Sequence, residues 1–154
     1  MIKITDYAGL KENASVLEYA LKELGLNDVE VIVQYNERLL DKYKDGSMKA
    51  EGLVHQLSLP TPTFNLFLRK DTDKPLPFLL CHEAVHVSQY VNNNLAINLE
   101  EQYFTWKGKK YDFSYEYRKR PWEQEAFEME AILYNKYRKA NRKGLFGWLK
   151  CSKQ

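Results

Sequence analysis

Cysteine, histidine and long apolar runs are the scarce features of this sequence. Its two cysteines, Cys81 and Cys151, lie far apart and form no CxxC pair. That excludes a disulfide framework and a cysteine-built zinc or redox centre, and it fits a reducing compartment. No apolar run approaches the roughly 20 residues that a bilayer span needs. The longest stretches, such as residues 76–81, are far shorter. Residues 1–20 are broken by Lys3, Asp6, Lys11, Glu12 and Glu18, so no secretory signal is expected and a cytoplasmic location follows. An excess of one charge is also missing. With 23 Lys+Arg against 21 Asp+Glu the net charge is +2, which argues against a strongly basic nucleic-acid binder and against an acidic tail protein. No 20–50-residue repeat and no low-complexity tract occurs.

What remains is an ordinary globular balance, 44% hydrophobic and 29% charged over 154 residues, which suits a single domain over residues 1–154. Leu10, Ala14, Leu17, Leu21 and Leu24 recur at helical spacing, predicting a helix over residues 6–24 that Gly25 stops. Residues 28–35 are rich in β-branched side chains and read as a strand. Residues 36–51 are charged and carry an Asp45-Gly46 turn signal. Residues 53–59 and 63–69 read as strands parted by Pro60 and Pro62, with Leu53, His55, Leu57 and Leu59 on one face. Pro75 and Pro77 open a helix over residues 76–91, which Asn92-Asn93-Asn94 ends. Residues 99–117 read as a hairpin turning at Lys107-Gly108-Lys109, with Tyr111, Phe113, Tyr115 and Tyr117 alternating. Pro121 begins a last helix to about residue 142, with a basic final turn of Arg138, Lys139, Arg142 and Lys143 and a stop at Gly144. This order defines an α+β class.

Two of the three histidines fall within five residues, in His82-Glu83-Ala84-Val85-His86, an HExxH string. Positions i and i+4 of a helix lie one above the other, so two imidazoles there can reach one metal ion. Glu83 is turned roughly 100° from His82, too far round to join as an equal ligand but placed for a general base. Leu80, Ala84, Val87 and Val91 form an apolar stripe that can anchor the helix while the histidines face a cleft. Cys81 reads as a small buried hydrophobe.

A catalytic zinc site takes three protein ligands and keeps one position open. The third here is His55 or a carboxylate. A metzincin pattern would need glycine at 89 and histidine at 92, and the chain has Gln89 and Asn92. His55, among alternating leucines, reads as a core or cleft-wall histidine. The carboxylates cluster in residues 121–130, where Glu123, Phe127, Glu130 and Tyr134 share a helical face. Ala126 lies near that face and would let the two helices approach closely. Glu125 and Glu128 lie elsewhere and read as solvated. Geometry favours Glu123, in the first helical turn, with Glu130 behind it.

The segments His82-Glu83-Ala84-Val85-His86 and Glu123-Gln124-Glu125-Ala126 resemble the paired HExxH and ExxA/S motifs of the gluzincin class of zinc metallopeptidases. The resemblance covers residues 64–134 at most. It implies a zincin-like fold, a small antiparallel or mixed sheet packed on the HExxH helix and on a second, ligand-bearing C-terminal helix. It implies one zinc ion per chain with His82, His86 and Glu123 as ligands, Glu83 as catalytic base, and a peptide or protein as substrate. It also implies that residues 63–69 form an edge strand aligning that substrate. The chain is similar to compact gluzincin-like proteins of bacteria and phages. Many gluzincins place Asp after the second motif to orient a ligating histidine; here Phe127 stands there, and Glu130 is the candidate for that orienting role. Tyr103, Tyr111, Tyr115 and Tyr117 are open candidates for an oxyanion donor.

Residues 103–122 interleave aromatics with Lys107, Lys109, Lys110, Arg118, Lys119 and Arg120. Without a recognition motif this reads as a hairpin packing one aromatic face and solvating its lysines, or as a lid over the cleft; no nucleic-acid partner is expected. Leu145, Phe146, Trp148 and Leu149 are expected to pack on the body or on another molecule. The expected activity is zinc-dependent peptide hydrolysis; the alternative is a catalytically inactive, metal-binding accessory protein on the same scaffold.

Overall fold

A computed structural model describes residues 1–42, 50–58 and 61–152, with side chains through residue 142 except that of Ser58. Within it, two sheets and four α-helices make a mixed α+β molecule. The larger sheet has the order β1-β2-β4-β3. Strands β1 (Ile2–Asp6), β2 (Val29–Tyr35) and β4 (Thr63–Leu68) run parallel, and β3 (Gly52–Ser58) is antiparallel to β4 at the edge. Val29, Val31 and Val33 of β2 and Phe64, Leu66 and Leu68 of β4 point to one face, where all six are buried. That face is covered by α1 (Asn13–Glu23) and α3 (Leu76–Val91), and α4 (Pro121–Ser152) packs against α3 in turn.

Helix α3 is the central element. Pro77 sits in its first turn, and every residue from Leu79 to Gln89 is buried. A helix buried on all sides must satisfy its polar groups internally. It ends in a Schellman motif: Asn93 takes the left-handed conformation at φ 58°, Asn94 N–H donates to Gln89 O at 3.0 Å, and Asn93 N–H donates to Tyr90 O at 3.0 Å. The chain then enters a three-stranded antiparallel sheet, β5 (Leu95–Asn98), β6 (Tyr103–Trp106) and β7 (Lys109–Asp112). Lys107 and Gly108 both have positive φ, 48° and 85°, as a two-residue hairpin turn requires. Leu95, Trp106, Tyr111 and Trp122 form this sheet's own small core.

Several expectations are corrected. The predicted helix over 6–24 is shortened to α1, and β1 precedes it. Ile2 and Ile4 alternate as strand residues, and the Asp6 carboxylate accepts from Ala8 N–H (2.9 Å) and Leu10 N–H (2.7 Å). Positive φ at Gly9 (69°) and Lys11 (56°) then breaks any helical continuation. Within 36–51, a short helix α2 (Glu37–Asp41) forms because Asn36 Oδ1 accepts from Leu39 N–H at 3.0 Å. The Asp45-Gly46 signal lies outside the described residues, as does Leu59.

Strand β3 turns Val54, not Leu53, His55 and Leu57, into the helix-covered core. His55 and Leu57 are exposed, because the odd-numbered residues of β3 share the sheet's other face with Asn65 and Phe67. Residues 63–69 do not form an edge: β4 is internal, between β2 and β3, and the edges are β1 and β3. The predicted 99–117 hairpin gains β5 and loses residues 113–117. Asp112 accepts from Ser114 N–H (2.8 Å), and the Arg120 guanidinium donates to Tyr115 O (3.0 Å) and Phe113 O (2.9 Å), drawing the chain into a 3-10 turn at Tyr117–Lys119. Helix α4 runs through Gly144 to Ser152. The side chains of Leu145, Phe146, Trp148 and Leu149 lie outside the described set. No helix among the described residues is long and apolar enough to cross a membrane.

Candidate metal centre

On α3 the buried stripe of Leu80, Ala84 and Val87 presses into the core, and the opposite side brings His82 and His86 together with ring centroids 4.9 Å apart. Ala126, fully buried, lets α4 come close. Glu123, in the first turn of α4, reaches across: its Oε1 is 2.6 Å from His86 Nε2 and its Oε2 is 3.4 Å from His82 Nε2. The three residues are 3–8% exposed, and their donor atoms all lie within 4.8 Å of one another.

The outer nitrogens of both rings are also held. His82 Nδ1 is 2.8 Å from Glu130 Oε2, and Lys74 Nζ donates to the same carboxylate at 2.6 and 2.8 Å. His86 Nδ1 is 2.8 Å from Gln89 Oε1. The orientation of Gln89 is decided by its other end: its Nε2 donates to Trp122 O at 3.0 Å and to Glu125 Oε1 at 3.1 Å, and a carbonyl can only accept. Oε1 therefore faces His86, and His86 Nδ1 must carry the proton. The same logic at Glu130, an acceptor, puts the His82 proton on Nδ1. Both Nε2 atoms of the neutral rings then turn lone pairs toward the Glu123 carboxylate. Three acceptors converging in a buried space need a cation between them, either a proton or a metal ion.

The electrostatics agree. Burial works to lower His86, but the Glu123 charge and hydrogen bond override it and raise it to about 9. His82 is opposed by burial in the same way and is raised by Glu123 and Glu130. For Glu123, burial pushes upward and the two histidines win, holding it well below the ordinary carboxylate range. Glu83 is different. It is 4% exposed, burial raises its pKa, and Oε2 has no hydrogen-bond partner among the described residues. A buried, unpartnered carboxylate oxygen next to this donor set is what an absent water molecule or ion would satisfy. Nitrogen and oxygen donors from two imidazoles and one carboxylate fit a divalent transition-metal ion, zinc among them.

The centre lies in a cleft of about 1250 Å³. The start of β3 forms one side, at Gly52 and Val54; the small sheet contributes Leu95, Ile97 and Phe104 to another. Residues 103–122 thus provide a cleft wall. Lys107, Lys109 and Lys110 lie over Trp106, Tyr111 and Tyr103, with Nζ 4.5–5.2 Å from the ring centroids. Across β3 and β4, Arg69 N–H donates to Glu51 O at 3.1 Å. Antiparallel neighbours alternate in bonding direction, so the backbone groups of Gly52 and Val54 turn to the open edge.

His55 is exposed on the far sheet face and takes no part, neither core nor cleft wall. Cys81 is fully buried, and burial pushes its thiol up to about 12, an inert group. Glu128 is exposed, but Glu125 is not simply solvated, since it accepts from Gln89. Phe127 covers the His82 ring with centroids 4.8 Å apart. Of the four candidate tyrosines, Tyr117 lines the cleft as Glu123 does, and burial followed by the Glu123 charge raises its pKa. Tyr111 is buried in the small core, Tyr103 lies under Lys110, and Tyr115 packs on Tyr111.

Sequence reasoning missed Gln89, Lys74 and Gly52. Gln89 had a signal, an amide three residues after His86 on a fully buried helix. No protein-family model, no curated protein and no solved structure matches this chain.

Proposed function

We propose that this chain is a zinc-dependent peptidase in which His82, His86 and Glu123 hold the metal and Glu83 is the general base. The observation that carries the reading is the convergence of two Nε2 lone pairs and one carboxylate beside the orphaned oxygen of Glu83. Zinc in such a set supplies Lewis acidity, lowering the pKa of a water molecule to about 7. Glu130 and Gln89 hold the two imidazoles in the Nδ1–H form. Glu83, raised by burial, takes the proton of the attacking water and returns it to the leaving amine. Tyr117 is the O–H donor we assign to charge developing on the carbonyl oxygen. The substrate is an extended peptide that adds to the open edge of β3, using the outward backbone groups of Gly52 and Val54.

The test is Glu83→Gln. Elemental analysis should find zinc retained at the native level, while cleavage of casein or a fluorogenic peptide library falls at least a hundredfold. Zinc retained with undiminished cleavage removes Glu83 from its role. Zinc bound by the native chain without any cleavage favours the inactive metal-binding alternative.

A further inference from the structure

We infer that Gly52 is a positioning residue for Glu83: its bare Cα at the head of the edge strand is what lets this carboxylate lie beside the paired histidines. The inference rests on the peptidase reading for its functional half and on contact geometry alone for its structural half. A Cβ built on Gly52 would fall 2.7 Å from Glu83 Oε1, 3.0 Å from Cδ and 3.2 Å from Cγ. Real side chains do not approach so closely, so either the strand or the carboxylate would have to move.

The room left to a displaced carboxylate is on the side of the cleft that Glu83 lines, away from Gly52. Glu83 is 4% exposed on a helix whose neighbouring residues from Leu79 to Gln89 are all buried. No hydrogen bond holds Oε2 among the described residues. Its place beside the histidines is therefore set by the walls it touches rather than by hydrogen bonds, and Gly52 is one of those walls.

The glycine is not there for backbone reasons. Positive φ belongs to Gly9, Gly25 and Gly108, and Gly52 has an ordinary strand conformation paired with Leu68. Alanine is allowed there, and at a compatible site a Gly→Ala change normally stabilises by restricting the unfolded chain. The steric contact with Glu83 predicts the opposite sign, so the direction of the effect is diagnostic.

The experiment is a thermal double-mutant cycle on the full chain: native, Gly52→Ala, Glu83→Ala and the double variant, each zinc-loaded and chelated. Gly52→Ala should lower the Tm when Glu83 is present and leave it unchanged or raise it when residue 83 is alanine. A single variant that does not fold while the double variant does is the same result in stronger form. Equal shifts in both backgrounds overturn the contact. In the functional arm, zinc titration should show native affinity for Gly52→Ala, while kcat on a cleaved peptide drops about a hundredfold with KM little changed, as a misplaced base predicts. Native kcat in a zinc-loaded Gly52→Ala chain overturns the positioning role. A native chain that hydrolyses nothing sinks the peptidase reading instead, and the melting cycle still decides the contact.

Discussion

Two nitrogens per imidazole give each histidine of the centre two separate duties. The outer nitrogen is spent on orientation, by Glu130 at His82 and by Gln89 at His86, and the inner one is left as a donor. Removing an outer partner leaves a buried N–H without an acceptor and frees the ring to turn. Gln89→Met and Glu130→Ala should each weaken zinc binding by about 10–100-fold, as loss of outer-shell partners does. Competition against a chromophoric chelator reads this directly; affinities within twofold of native would mean that the rings are held by packing alone. The spacing of Gln89 from His86 is a local signal, but the direction of its bond was not legible in the sequence, because it is decided by a backbone carbonyl, Trp122 O, from a helix more than thirty residues away. The place of Glu130 beside His82 was legible because i+7 spacing puts it on the Glu123 face.

Protons compete for the same inner nitrogens. In the metal-free chain His86 is raised from 6.5 to about 9, through Glu123 acting against burial. A group raised in the folded state contributes stability that is complete below its unfolded pKa and is lost as pH rises through the folded one. Chelated protein should therefore be most stable below pH 6.5 on this account and lose Tm between pH 6.5 and about 9. On the proposed zinc reading the metal would take the proton's place, so zinc affinity should climb over the same window. Melting curves of chelated protein across that range check the first statement; a Tm that rises toward pH 9 contradicts it.

At the scale of elements, the centre depends on how closely α3 and α4 approach. Ala126 is fully buried one turn after Trp122 and Glu123, where a larger side chain would hold the helices apart. Ala126→Leu should cost about 1–3 kcal/mol by overpacking, and it should reduce zinc affinity by pulling Glu123 from the histidines. Denaturant melts and zinc titration of the same variant test both; a stable variant with native affinity would show that α4 has room to spare. The helices that build the site were legible because their signals are local: prolines at the start of each, and apolar residues at 3.6-residue spacing. The sheet was less so. Which face of β3 is core depends on pairing with β4 in a register set by the whole sheet, so Leu53 and Leu57 lie on the side away from the helices. Likewise β1 offers only Ile2 and Ile4, and its strand conformation comes from parallel pairing with β2. That β4 is internal is likewise a property of topology.

For the whole molecule, the core and the site are separable. Residues from α1, the larger sheet and the inward side of α3 form a continuous apolar cluster that does not need His82, His86 or Glu123. The small sheet carries its own cluster around Trp106 and Trp122 and serves as a cleft wall. Removal of metal should therefore leave a folded chain, in contrast to small domains that unfold without zinc. The native state alone holds the three donors together, so zinc should stabilise by mass action. At free zinc about 100 times the dissociation constant the gain is about 2.7 kcal/mol. For a chain of this length each kcal/mol moves Tm by roughly 2–4 °C, so the expected rise is of the order of 5–11 °C. The rise should grow with the logarithm of free zinc and disappear in Glu123→Ala, whose Nε2 pair has lost its anionic partner. Scanning calorimetry over a zinc series measures it. A Tm indifferent to zinc would leave the convergent histidines as a protonated ion-pair network with Glu123, and a chain that unfolds on chelation would mean that the apolar cluster is not sufficient by itself.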